Sequence, residues 1–202
     1  MTDVAAPAGD DAVLASIGMR LDGSDLGHVQ AACARIARRI HAERLRVVGF
    51  VPSNDRVAVP PLIVHLGLAL CDLTGATVAV VDANVRYPGL AGITGGQQTD
   101  SGGVFSTRWL RGSLALLSAP RVERAGDVVP QLFRVLDEGA DLFAHVLVDL
   151  TGFELLGEHA AAAAAMDGVA VVGQAHHSRE QELVELARLM PRGRFLGVLL
   201  VG

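Results

Sequence analysis

Short aliphatic runs alternate along this chain with segments of helical period, and no other feature restricts its fold as much. Arg46–Val51, Thr77–Val81, Leu114–Leu117, His145–Leu150, Val169–Val172 and Leu196–Val201 are β-rich and almost free of polar interruption. Unbroken apolar runs of this length suit strands buried on both faces, as in a parallel sheet. Between and before them lie helical segments: Leu26–Glu43, Pro60–Leu73, Asp127–Ala140, Glu154–Met166 and Ser178–Met190. Pro60 and Pro61 suit a first helical turn. Asp127 reads as a cap with Pro130 in the first turn, and Ser178 with Gln181 reads as a capping box, stopped by Pro191. The expected fold is α/β, with a parallel or mostly parallel sheet flanked by helices on both faces. Leu90–Gly112, rich in Gly, Ser and Thr, reads as a long loop with one short helix at most. Residues 1–25 read as a flexible N-terminal arm, and residues 26–202 as a single domain.

Half of the residues are hydrophobic but only 4% are aromatic, so the core has to be aliphatic. No apolar run reaches the ~18 residues needed to span a bilayer. The best run, Leu62–Cys71, is shorter and carries His65 and Gly67. Direct membrane insertion is therefore not expected, and the surplus apolar surface points to a subunit or partner interface. Met1–Asp11 lacks the charged-then-apolar pattern of a signal peptide, and Cys33 and Cys71 fall in helical segments as buried thiols. Both features fit a cytoplasmic protein. The net charge of −5, with no basic block, argues against nucleic acid.

All 17 residues counted as Lys or Arg are arginines. Arginine- and alanine-rich composition can produce this by drift, but the chemical exclusion stands regardless. Schiff-base chemistry is ruled out, and so is a phosphate loop of the G-x-x-x-x-G-K-[ST] type.

In sheets of this class ligands bind beyond the carboxyl ends of the strands. After the first strand comes Val51-Pro52-Ser53-Asn54-Asp55-Arg56-Val57-Ala58-Val59-Pro60-Pro61, then a helix. That is the frame of a phosphate-binding loop without its chemistry. No glycine lies between Gly49 and Gly67, so successive N–H groups have little freedom to turn onto an anion. Val59 stands where the lysine is needed, and Pro60 and Pro61 stand where a hydroxyl would hold Mg²⁺. The second strand ends in Asp82-Ala83-Asn84-Val85-Arg86, and a later one in Asp149. A strand-tip carboxylate can hold a metal's water shell, and an arginine four residues on can meet a phosphate. Taken singly, each aspartate reads first as a loop cap. The pair His176-His177 lacks further spaced metal ligands and reads as a polar loop. Ser53, His145 and Asp149 form no triad frame, and no G-x-S-x-G occurs. Trp109 reads as an anchor for its loop or for a partner.

In their order, these features resemble the cytoplasmic domain of bacterial tyrosine kinases (BY-kinases), the ATPase modules of capsule and exopolysaccharide co-polymerases within the MinD/ParA class. The resemblance covers roughly Leu26 to Gly202. Val80-Val81-Asp82-Ala83-Asn84-Val85-Arg86-Tyr87-Pro88 resembles the family's "lvDaDlRrP", and Val146-Leu147-Val148-Asp149 its Walker B "viiD". Leu66–Leu70 resembles the helix after the phosphate loop. Leu114–Pro120, Met166–Val172 and Leu196–Leu200 resemble "L.vLpaG", "aDgvllV" and "lGvvlN". Arg35 and Arg38 match the arginines of an E-x-x-R-x-x-R motif that joins subunits into a ring, but Ala32 replaces its glutamate. A solvated basic helix face explains them equally well.

The resemblance implies a P-loop-type domain with a nucleotide cleft at Ser53, Arg56, Asp82, Asn84, Arg86 and Asp149. Asp82 and Asp149 would be the vestigial catalytic carboxylates. The departures imply that the chemistry is lost. The Walker A glycines, lysine and hydroxyl are missing, Asn84 replaces the second acid, and Tyr87 is the only tyrosine. The expectation is a catalytically impaired regulatory or scaffolding partner in exopolysaccharide or capsule assembly, with no cofactor and no metal. It would form a homo-oligomer, dock on a membrane-bound polysaccharide co-polymerase, or both, so that it meets the inner membrane only through that partner. The alternatives are an active ATPase using ATP and Mg²⁺ with an unusual loop, and a MinD/ParA-like positioning adaptor.

Overall fold

The computed structural model describes residues 9–19, 26–84, 88–91, 93, 105–119, 128–153 and 159–202. Seven strands form one sheet in the order β3-β4-β2-β5-β1-β6-β7. They are β1 (Val47–Pro52), β2 (Val78–Asp82), β3 (Ser106–Leu110), β4 (Leu114–Ser118), β5 (His145–Asp149), β6 (Gly168–Gln174) and β7 (Phe195–Val201). All neighbouring pairs run parallel except β3 with β4. The helices are α1 (Asp10–Ser16), α2 (Leu26–Ala42), α3 (Val59–Thr74), α4 (Val128–Glu138), α5 (His159–Ala164) and α6 (Glu180–Leu189).

Side-chain alternation along the strands divides the core between two faces. Val48, Phe50, Val78, Val80, Leu114, Leu116 and Leu147 pack with Cys33, Ala37 and Ile40 of α2 and Ile63, Leu66 and Leu70 of α3. Val47, Val51, Ala79, Val81, Ala115 and Val148 pack with Leu132 of α4 and Ala162 of α5 on the other face. The central strands are buried at every position, which explains their unbroken aliphatic sequences. Gly67 lets α3 lie close on the sheet: a Cβ there would stand 2.8 Å from a Leu114 methyl. Asp167 fixes β1 beside β6, its carboxylate accepting the backbone N–H groups of Arg46 and Val47 at 2.8 Å each. Cys33 and Cys71 are buried thiols, and burial pushes Cys33 up to about 11.

Three expectations are corrected. Within the stretch read as a flexible arm, Asp10–Ser16 is helical, and Val13, Leu14 and Met19 join the core. A seven-residue helix has little stability alone and takes it from this packing. The stretch read as a long loop contains β3, the antiparallel edge strand. Arg111 and Gly112 both have positive φ, 49° and 71°, and Ser113 N–H donates to Leu110 O, as a type I′ turn requires. The capping box at Ser178 does not form, because α6 starts at Glu180 without a side-chain cap. Ser178 Oγ instead accepts Gln174 N–H at 2.8 Å. The cap expected at Asp127 lies outside the described residues.

Candidate nucleotide cleft at the strand ends

Chain reversal at β1 places β5 on one side of it and β6 on the other. A crevice therefore opens over the carboxyl ends of β1, β2 and β5. It has a volume of about 330 Å³ and is lined by Arg56, Asn84 and Thr151, with Val57, Pro60 and Gly89 among its apolar walls. Of the residues read from sequence, Arg56 and Asn84 line this cleft.

Asp82 and Asp149 are paired in register at the ends of β2 and β5, and both are fully buried. Their loops take up most of their acceptor capacity. Asp82 Oδ1 accepts Asn84 N–H at 3.1 Å, and its Oδ2 accepts Leu90 N–H at 2.7 Å. Asp149 Oδ1 accepts both the N–H and the hydroxyl of Thr151. Asp149 Oδ2 is buried with no hydrogen-bond partner among the described residues. Burial raises Asp82 to about 6 against the opposing hydrogen bonds of its loop. Burial, then repulsion by Asp82, raises Asp149 to about 7. Neighbouring carboxylates cannot both ionise cheaply in an apolar setting, so the pair holds a proton well into the neutral range.

The floor of the phosphate-loop frame is apolar and closed. Val59, the first residue of α3, is fully buried, and so is Leu90 above it. Prolines occupy the next two positions of the helix, so two of the N–H groups that a helix start would offer an anion are absent. Gly89 comes down on this turn, where a Cβ would lie 3.0 Å from Pro60. The loop itself bonds inward, with Asn54 Oδ1 accepting Arg56 N–H at 3.0 Å.

Other candidates lie elsewhere. Ser53 turns away from the cleft, and its hydroxyl pairs with that of Ser178 at 2.7 Å beside β6. Its role is to tie the end of β1 to the start of α6. The structure supplies the signal that sequence lacked, namely the register that brings Val172 O to Ser53 N–H. Arg86 lies outside the described residues. Arg35 and Arg38 are exposed on α2, and Arg38 lines a separate 440 Å³ cavity with His65, Asp72 and Arg111. Trp109 is half-exposed on β3 and tilts against Phe143, with ring centroids 6.0 Å apart. His145 opens β5 while Asp149 closes it, and the imidazole bonds Leu45 O at 2.8 Å. His176 and His177 are exposed in the turn before α6.

No family model matches the sequence, and no curated protein matches it either. Solved structures do match. The VpsO kinase domain superposes with a TM-score of 0.69 at 16% identity, covering 87% of this chain and 97% of that one. The BceF tyrosine kinase domain gives 0.66 at 17% identity, covering 86% and 76%. The kinase domain of the Escherichia coli tyrosine kinase ETK gives 0.64 at 14% identity, covering 84% and 75%. Among the described residues, no helix is long and apolar enough to cross a membrane. The chain thus carries the fold of the bacterial tyrosine kinase domains.

Proposed function

We propose that this chain is a non-catalytic relative of those kinase domains, acting as a regulatory or scaffolding partner in exopolysaccharide or capsule assembly. One observation carries the reading: the first turn of α3 is filled by a buried valine and two prolines. Phosphoryl transfer depends on positioning the phosphates and neutralising their charge. A triphosphate with Mg²⁺ does not fit these residues. It needs inward N–H groups and a cation at the helix start, and finds a methyl-lined floor. Each charge-assisted contact forgone is worth about 1.5–3 kcal/mol, so several missing together remove most of the binding. Arg56 offers one positive charge at the mouth of the cleft but restores no N–H cradle.

The pathway assignment rests on the sequence resemblance, supported by the shared fold. In this reading the domain associates with itself, with a membrane-bound polysaccharide co-polymerase, or with both, and reaches the inner membrane through that partner. Titration calorimetry with ATP and Mg²⁺ tests the loss of nucleotide binding. The expected result is no saturable heat, and a micromolar isotherm would contradict the reading.

Asp149 Oδ2, without a partner among the described residues, favours a second reading, an ATPase with an unusual loop. That reading requires steady turnover which Asp82→Ala abolishes. Absence of turnover at high protein concentration removes it.

A further inference from the structure

The two edges of the sheet differ in kind. At one edge, β3 presents Ser106, Thr107 and Arg108 beside Trp109. At the other, β7 reads Phe-Leu-Gly-Val-Leu-Leu-Val, without a charge or proline to discourage pairing. Phe195 is 39% exposed, Val198 41% and Leu200 63%, high values for apolar residues in a strand. A register shift against β6 confines the regular part of this edge to its C-terminal half.

Backbone direction decides what that half can bind. Val201 O accepts Ala175 N–H, so the polar groups of Val201 and Leu199 face inward along the sheet. Alternation turns the N–H and C=O of Val198 and Leu200 outward. Leu199 and Val201 pack against the core on the α2–α3 face, whereas the Leu200 side chain lies near Leu183 of α6.

The α6 helix beside this edge has no buried residue and exposes Val184 and Leu189. Its charge is polarised. Glu180 and Glu182 lie in its first turn, after Arg179 at the N-cap, Glu185 lies just past its middle, and Arg188 lies in its last turn with Arg192 just beyond. An antiparallel copy of the same helix complements that arrangement. On the opposite face, Arg39 and Glu43 flank the edge and neutralise each other at 2.8 Å.

We propose that β7 and α6 form the interface between two copies of this chain, related by a two-fold axis normal to the sheet. The two β7 strands pair antiparallel about Leu199. Val198 of one copy then opposes Leu200 of the other, both on the α6 face and both with outward N–H and C=O groups. The acidic start of each α6 meets the basic end of its mate, and the two sheets become one. This is an isologous contact of the kind common in closed dimers. It stands independently of whether the cleft binds nucleotide.

Light scattering across a dilution series tests it. The wild-type chain is expected at twice the 21.1 kDa chain mass. Leu200→Arg, which puts a charge on the pairing edge, is expected at the single-chain mass with an unchanged circular dichroism spectrum. Glu185→Arg should raise the dissociation constant by about tenfold through like-charge contact with Arg188 of the mate. Glu185→Arg combined with Arg188→Glu should restore it. A wild-type chain that stays at single mass, a Leu200→Arg variant that still doubles, or a double swap that fails to recover would each overturn the proposal.

Discussion

The strand-end cleft and the β7 edge carry residue types opposite to those a phosphate-binding crevice and a solitary strand edge call for. At the cleft, where polar groups and glycines would bind a ligand, Val59 and Leu90 are fully buried and the paired prolines form part of the wall. At the edge, where charges would keep a strand solitary, Val198 and Leu200 face solvent. Apolar side chains at the first site stabilise this chain alone. At the second they gain from burial only by contact with another. On the function and interface proposed above, the difference means that recognition in this chain has moved from a small-molecule crevice to a protein surface.

The contrast can be broken most severely at its filled end. Val59→Asp would bury an unpaired carboxylate in the apolar cluster under the cleft, and should cost about 3–5 kcal/mol in urea unfolding. Val184→Asp, on the exposed face of α6, should change monomer stability by less than about 0.5 kcal/mol. If Val59→Asp were equally mild, the cleft floor would be open to solvent and the contrast would fail.

Next in size is the acid pair. Both groups keep their protons to higher pH when folded, to about 6 and about 7 against 3.8 for an ordinary aspartate. The folded chain therefore binds more protons than the unfolded chain between those values, so stability falls as pH rises from about 4 to 7. Asp149→Asn removes the later ionisation. It should flatten that slope and raise stability at neutral pH by about 1–2 kcal/mol, a gain of a few degrees in Tm. Thermal melts from pH 4 to 8 read both effects. Stability that climbs over the same range would mean the carboxylates are ionised and paired with an unseen cation.

Ser178→Ala should cost about 1 kcal/mol, since Gln174 N–H loses its acceptor and Ser53 its partner. Without any structural role for this pair, the variant would melt with the wild type. Trp109→Ala should cost still less, about 0.5–1 kcal/mol, because the ring is half-exposed and meets one aromatic neighbour. A larger loss would place Trp109 in an interface, at the edge opposite β7.

Much of the frame was legible in the sequence because burial on both faces writes itself as aliphatic runs. The six parallel strands and the two strand-tip aspartates follow from that pattern alone. β3 escaped it, since an edge strand with one covered face keeps Ser106, Thr107 and Arg108. Its readable signal was Arg111-Gly112, a dipeptide that tolerates the positive φ of a tight hairpin. α1 escaped because its stability comes from distant residues. The missing lysine and glycines located the altered site, but only the register showed Asp82 and Asp149 side by side. Ser53 looked like a cleft residue because sequence gives a loop's composition and not the direction of its side chains.

Sedimentation of the wild-type chain with and without ATP and Mg²⁺ tests the central claim most directly. If recognition has moved from crevice to surface, the chain sediments as a dimer in both conditions, with the same dissociation constant. A monomer that dimerises only when the nucleotide is added would contradict the account.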